Sequence, residues 1–330
     1  MRRSASLLPA LAAVLLLATA CGTEHPGTAA GVGASATAPG IPVTDPPVDG
    51  VRITALNLPT ASPSAEPSDG PSGIGSVHAD RLPTPGVPDR PGEIPAGTQN
   101  FVESGISAAY EVTNDGKETL TYTVLFSFTT STGEVMGNQR ETVRGVAPGR
   151  TVRGTVQLGR VPPGMPEVRK VKVSEVTTVP ADEAPAETGT CPASGIRVTA
   201  DDGDAAMGLR VVGLRLENCG TRDYTLDGYP RLTLLDEDLE PVDGIDVVHG
   251  GAGVALVTGF DDPPRPVTLK PGEYATSGLM WRNTTGAGAA VNVPHVRVHA
   301  KPGAAPVIVT PRLDLGTTGK LGVSAWKRGE

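Results

Sequence analysis

Every aromatic side chain of the chain stands at or beyond Phe101: four Phe, five Tyr and two Trp, and none before it. Aromatic rings supply much of the area that a core buries, so a packed region is expected to begin near Phe101. The residues before it have little with which to fill a core. Gly22 to Asn100 holds 26 Gly or Pro in 79 residues, with Ala, Ser and Thr making up much of the rest. Such a stretch buries too little apolar surface to offset the entropy of ordering it. Residues 22–100 therefore read as a disordered or polyproline-like tether. One short patch inside it, Val51-Arg52-Ile53-Thr54-Ala55-Leu56, has the pattern of a strand or a docking segment.

The start of the chain carries an address. Met1-Arg2-Arg3 is positive, Leu7 to Leu17 is apolar, and Ala18-Thr19-Ala20 places small residues before Cys21, the three parts of a secretion signal. The apolar run is shorter than the roughly 20 residues that a membrane-spanning helix needs. Ala18-Thr19-Ala20 satisfies the ordinary small-x-small cleavage rule, while Leu17-Ala18-Thr19-Ala20-Cys21 resembles the lipobox of bacterial lipoproteins, with Ala18 where that family most often has Leu. The resemblance implies that residues 1–21 are a signal peptide ending at a lipidated Cys21. It also implies a protein anchored to the cell membrane by lipid, on the extracytoplasmic face. Cysteine parity points the same way. Three cysteines in an exported chain leave one odd thiol, and assigning Cys21 to a lipid leaves Cys191 and Cys219 to form a disulfide in an oxidising compartment. A nucleophilic or metal-binding role for either has no CxxC spacing and no neighbouring histidine to support it.

Beyond Phe101 the pattern has period two. Tyr110 and Val112 alternate with Ala109, Glu111 and Thr113, and Tyr122, Val124, Phe126 and Phe128 alternate with Thr121 and Thr123. Half-buried strands have this period, and no helical stripe interrupts it. Asn114-Asp115-Gly116, Ser131-Thr132-Gly133 and Ala147-Pro148-Gly149 punctuate the runs. Residues 101–179 are thus expected to form a small immunoglobulin-like or fibronectin-like sandwich, similar to the small sandwich domains recurrent in bacterial envelope proteins. Residues 180–190, rich in Ala, Pro and acids, read as a linker. Residues 191–330 carry a second series of short, turn-bounded runs, among them Leu209 to Leu216, Val254 to Val257, Ala275 to Trp281 and Val296 to Val298. Within it Leu214-Arg215-Leu216-Glu217-Asn218-Cys219-Gly220, Gly228-Tyr229-Pro230, Leu269-Lys270-Pro271-Gly272 and Ser277-Gly278-Leu279-Met280-Trp281 stand in order. These resemble an actinobacterial domain-of-unknown-function family of secreted proteins and lipoproteins, over Cys191 to Lys327. That resemblance implies a β-sandwich and brings no activity. The family commonly has its second cysteine where this chain has Tyr224. The fold class expected is all-β, two immunoglobulin-like sandwiches after a tether.

A formal net charge of −8 gives no electrostatic footprint for nucleic acid. His295 and His299 flank three residues of strand pattern, too far apart along a strand for one metal ion, and read as solvent-facing. His249 lies in a Gly-rich stretch, Gly244 to Gly253, that reads as a surface loop. Asp201-Asp202-Gly203-Asp204 and Asp236-Glu237-Asp238 lack the spacing of a calcium loop and read as a turn and a hairpin tip. The chain reads as free of the usual hydrolase signatures G-x-S-x-G, S-x-x-K and H-E-x-x-H. No cofactor, metal or catalytic residue is expected, and the chain reads as a non-catalytic envelope lipoprotein that presents β-sandwiches for binding. A structural spacer or an unrecognised extracellular enzyme is the alternative. From Arg140 to Lys172 eight Lys or Arg meet two acids. Arg144, Arg150, Arg153, Lys170 and Lys172 are the candidate basic contact face, for a cell-wall polymer, lipid headgroups or another envelope protein.

Overall fold

The alternation from Ala109 onward is realised as strands, with the inward parity that the pattern implies. The computed structural model describes residues 40–59 and 101–329. Cys21, residues 22–39 and residues 60–100 lie outside them. The described residues contain strands and no helix. The first nine strands are β1 (Ile41–Pro42), β2 (Val51–Asn57), β3 (Val102–Glu103), β4 (Ser107–Thr113), β5 (Leu120–Thr129), β6 (Val135–Val146), β7 (Thr151–Gln157), β8 (Arg160–Val161) and β9 (Lys170–Pro180). Sheet β1-β2-β4-β7 packs on sheet β6-β5-β9, and β3 pairs with β8. Tyr122, Val124, Phe126 and Phe128 point inward from β5 and meet Ala108, Tyr110, Val112 and Val156 of the other sheet. The rings of Tyr110 and Phe126 lie 4.9 Å apart. Gly154 of β7 makes room for that Tyr110 ring, since a Cβ there would stand 2.4 Å from its Cζ.

Strand β2 corrects the tether. Val51, Ile53 and Leu56 are almost wholly buried in the core that holds Tyr110 and Phe126, and β2 pairs antiparallel with β4 from Val51↔Val112 to Asn57↔Ser107. The first sandwich thus begins at Gly40 and not at Phe101. Three aliphatic side chains at inward positions suffice because the partner strands provide the rings, so a shortage of aromatics in the segment itself was the wrong test.

The second set comprises β10 (Ile196–Ala200), β11 (Asp204–Ala206), β12 (Leu209–Asn218), β13 (Tyr224–Leu226), β14 (Arg231–Leu235), β15 (Asp246–His249) and β16 (Val267–Leu269). It continues with β17 (Tyr274–Arg282), β18 (Asn292–Val293), β19 (His295–His299), β20 (Pro306–Val309), β21 (Leu313–Asp314), β22 (Lys320–Val323) and β23 (Lys327–Arg328). A large sheet runs β10-β12-β17-β22-β15, with β11 added beside β12 and β23 beside β17, and a three-stranded sheet runs β14-β19-β20. Leu214, Leu216, Leu279 and Trp281 of the first meet Leu234, Val296, Val298 and Val309 of the second in one core. Two local readings are corrected. Asp246–His249, read as loop, is a strand parallel to β22. Val254 to Val257, read as a strand, lies in a turn-rich loop where Asp261 Oδ1 accepts hydrogen bonds from the backbone N–H of Gly251 at 2.7 Å and Ala252 at 3.2 Å. Such side-chain bonds offer the backbone an alternative to ladder pairing.

Candidate functional site

The three-stranded sheet β14-β19-β20 buries aliphatic side chains on both faces, and on the face away from its own core they stand among Arg231, Thr233, His295, Arg297 and His299. Leu234, Val296, Val298 and Val309 face the core of their own sandwich. On the other face Leu235 and Ile308 are fully buried, packed with Val179 of β9 and with Ala184 and Leu239. The cover is the segment expected to be a linker. After β9 the N–H of Ala181 donates to Thr119 O at 2.9 Å, and the N–H of Ile308 donates to Glu183 O at 2.8 Å. Arg297 Nε donates to Glu183 Oε2 at 2.6 Å, and Arg144 Nη1 donates to Pro185 O at 2.6 Å. Residues 181–185 are therefore a strap fastened to both sandwiches. Arg312 makes a second tie, an ion pair with Glu175 of β9.

Between β9 and the segment from β18 to β21 a cleft of about 660 Å³ is lined by Asp49, Glu175, Glu237, Asp238 and Asp314, with Arg312 and His295. Five carboxylates and one guanidinium give it a negative field. His295, read as solvent-facing, is 5% exposed, because it stands on the strapped face of β19 in register with Leu235. Its Nδ1 has no hydrogen-bond partner among the described residues. Burial first, and then the Arg312 guanidinium, hold its pKa below the usual imidazole range, and Asp236 opposes them. His299 is half-buried, with Nδ1 3.0 Å from Ala304 O. Among the described residues no group of three or more His, Cys, Asp or Glu is placed to hold a metal ion.

Cys191 and Cys219 form a disulfide across a sequence separation of 28. The partner of Cys191 is thus Cys219, and Tyr224 instead lies under the Lys301 ammonium, 3.9 Å from the ring centroid. Cys21 lies outside the described residues.

The five basic residues do not make one face. Arg153 points outward from β7, its Nε 2.8 Å from Glu111 Oε1, and Arg52 approaches the same carboxylate at 3.8 Å. Lys170 and Lys172 point outward from β9, opposite Thr129 and Ser127 of β5, and so lie on the outer side of the other sheet. Arg144 is engaged with the strap, and Arg150 sits in the turn before β7. Strand parity tells inward from outward. It does not tell which of the two sheets a strand joins, and the candidate face fails on that point.

The expected absence of S-x-x-K is corrected, since Ser324-Ala325-Trp326-Lys327 has that spacing of a serine nucleophile with a lysine base. Its parts serve the fold. Ser324 Oγ accepts from the N–H of Gly278 at 2.8 Å, and Lys327 Nζ lies 2.9 Å from Asp262 Oδ2. His249 stacks on Tyr229 with ring centroids 3.8 Å apart. Asp236 Oδ1 accepts the N–H groups of Asp238 and Glu240, both at 2.9 Å, and closes the hairpin tip.

Residues 191–327 match the model of a protein family described as a domain of unknown function, DUF4232. No curated protein matches the chain.

Proposed function

We propose that the chain is a non-catalytic lipoprotein of the cell envelope, anchored through a lipid on Cys21 and presenting two strapped sandwiches to a partner outside the cytoplasmic membrane. The observation that carries this reading is the Cys191–Cys219 disulfide. It calls for an oxidising compartment, and it accounts for two of the three cysteines, so that Cys21 at the end of the apolar leader is the one left for another use. The strap supports a presenting role, because ion pairs and a shared apolar contact hold the two bodies in one arrangement. With the basic face dispersed, the junction cleft is a concave charged surface, and its carboxylates favour a cationic group on the partner over an anionic polymer.

The test is metabolic labelling with an alkyne fatty acid in a host that processes lipoproteins. The wild-type chain is expected to take up label and stay with the membrane fraction, and Cys21→Ala to lose both. Label retained by Cys21→Ala, or none on the wild type, defeats the reading.

A further inference from the structure

The corrected start of the first sandwich changes what can hold it away from a membrane. Strand β1 pairs with β2 at Ile41↔Leu56, and β2 pairs with β4 through Asn57↔Ser107. Residues 60–100 therefore leave and re-enter the fold at one end of one sheet and add nothing to the distance between Cys21 and the sandwich. Only the 18 residues from Gly22 to Pro39 separate them. A chain of that length spans at most about 60 Å fully extended and about 25 Å as a flexible coil. A strand of ten residues such as β5 is itself about 33 Å long. The link is thus comparable to the sandwich in length.

The chain enters at a distinctive end. Gly40, Pro59 and Phe101 are there, with the β5–β6 turn and the segment after β7. The end opposite, where β4 and β9 finish, leads into the strap. Of nine large apolar side chains exposed among the described residues, four belong to the entry end: Ile41 at 53%, Phe101 at 39%, Val102 at 50% and Val135 at 49%. Val48 and Val152 lie at the opposite end. The entry-end side chains are carried by three sheets, Ile41 on β1, Val102 on β3 and Val135 on β6, so they rim that end of the sandwich, where exposed apolar side chains can enter a bilayer interface. Formal charge at this end balances, because Arg160 pairs with Glu103 and Arg169 with Glu167, and exposed Glu134 beside Val135 is offset by Lys170, which stands opposite Thr129. The chain from Ala181 onward, by contrast, has 14 Lys or Arg against 20 Asp or Glu.

We infer that the entry end of the first sandwich, through Ile41, Phe101, Val102 and Val135, rests on the lipid surface to which the chain is anchored. The second sandwich and the acidic cleft then point away from it. The inference rests on the lipid anchor at Cys21.

The experiment uses the full-length chain expressed in a lipoprotein-processing host, with its mass measured first, since an unmodified Cys21 refutes the anchor separately. Single substitutions Val102→Cys and Ala147→Cys, at the entry end and the opposite end, are labelled with an environment-sensitive fluorophore. The native disulfide stays oxidised and the lipid blocks Cys21. The protein is reconstituted into phosphatidylglycerol–phosphatidylethanolamine vesicles with and without bromine on the acyl chains. The expected result is loss of emission in brominated lipid for the Val102 site and unchanged emission for Ala147. A further Phe101→Ser substitution, exposed and outside the core, is expected to reduce the loss at the Val102 site without lowering the melting temperature. Equal quenching at both sites, quenching at neither, or greater quenching at Ala147 in a chain shown to carry the lipid overturns the contact.

Discussion

Replacing Ile53 by Ala tests whether β2 belongs to the first sandwich. Ile53 is 5% exposed and packs in the core shared with Tyr110 and Phe126. The substitution removes three carbons, worth about 2.4 kcal/mol at roughly 0.8 kcal/mol for each buried methylene. The cavity left behind adds to this, so a cost of about 3 kcal/mol is expected, inside the range of about 2–5 kcal/mol measured for such truncations. For a unit of this size each kcal/mol lowers the melting temperature by about 2–4 °C, and the shift should be about 6–12 °C. Arg52→Ala on the same strand is the control. Arg52 faces outward, 54% exposed and 3.8 Å from Glu111, and its loss should cost no more than about 1 kcal/mol. Scanning calorimetry of the oxidised protein reads both. A shift below about 2 °C for Ile53→Ala, or equal shifts for the two variants, would show that β2 is not part of the fold's cooperative core.

Two further outcomes concern the strap. In a double-mutant cycle with Glu183→Gln and Arg297→Gln, whose side chains are 20% and 26% exposed, the coupling free energy by urea denaturation should be at least about 0.5 kcal/mol, and additive effects would mean that the strap does not hold the sandwiches. The pH dependence follows from His295. Its folded pKa is depressed below 6.5 by burial and by Arg312, so between that lowered value and 6.5 the unfolded chain binds more protons. Stability is then complete above the ordinary histidine pKa and is lost as pH falls toward the folded value. His295→Gln should flatten the slope of stability against pH in that window, and an unchanged slope would assign it to other groups.

Much of the fold was legible because alternation is a direct record of burial. Tyr122, Val124, Phe126 and Phe128 name their face without any tertiary knowledge, and cysteine parity named the Cys191–Cys219 pair. What could not be read involves information that no local pattern holds. Strand β2 has the alternation but sits among Gly and Pro, and a composition average over 79 residues drowned a seven-residue strand. The basic face failed for a related reason. Arg153 and Lys172 are both correctly outward, yet β7 and β9 joined opposite sheets.

The strap shows most plainly why composition was blind at the junction. Two of its fastenings use main-chain carbonyls, Glu183 O and Pro185 O, a group that every residue possesses, so no residue type announces them. What could have announced the strap was its target. Leu235 stands next to Leu234, and Ile308 next to Val309, so in β14 and β20 both faces carry a large aliphatic side chain. A strand with only one buried face alternates apolar and polar residues, whereas one covered on both faces reads as a continuous apolar run. The pair of such runs in β14 and β20 implies a second covering layer, and the segment before Cys191 is near enough along the chain to supply it. An acidic residue in that segment then has a specific use, because Arg297 lies on the same outward face, between His295 and His299. Glu183 meets it there, and the arrangement that places His295 beneath the cleft follows from the same contact.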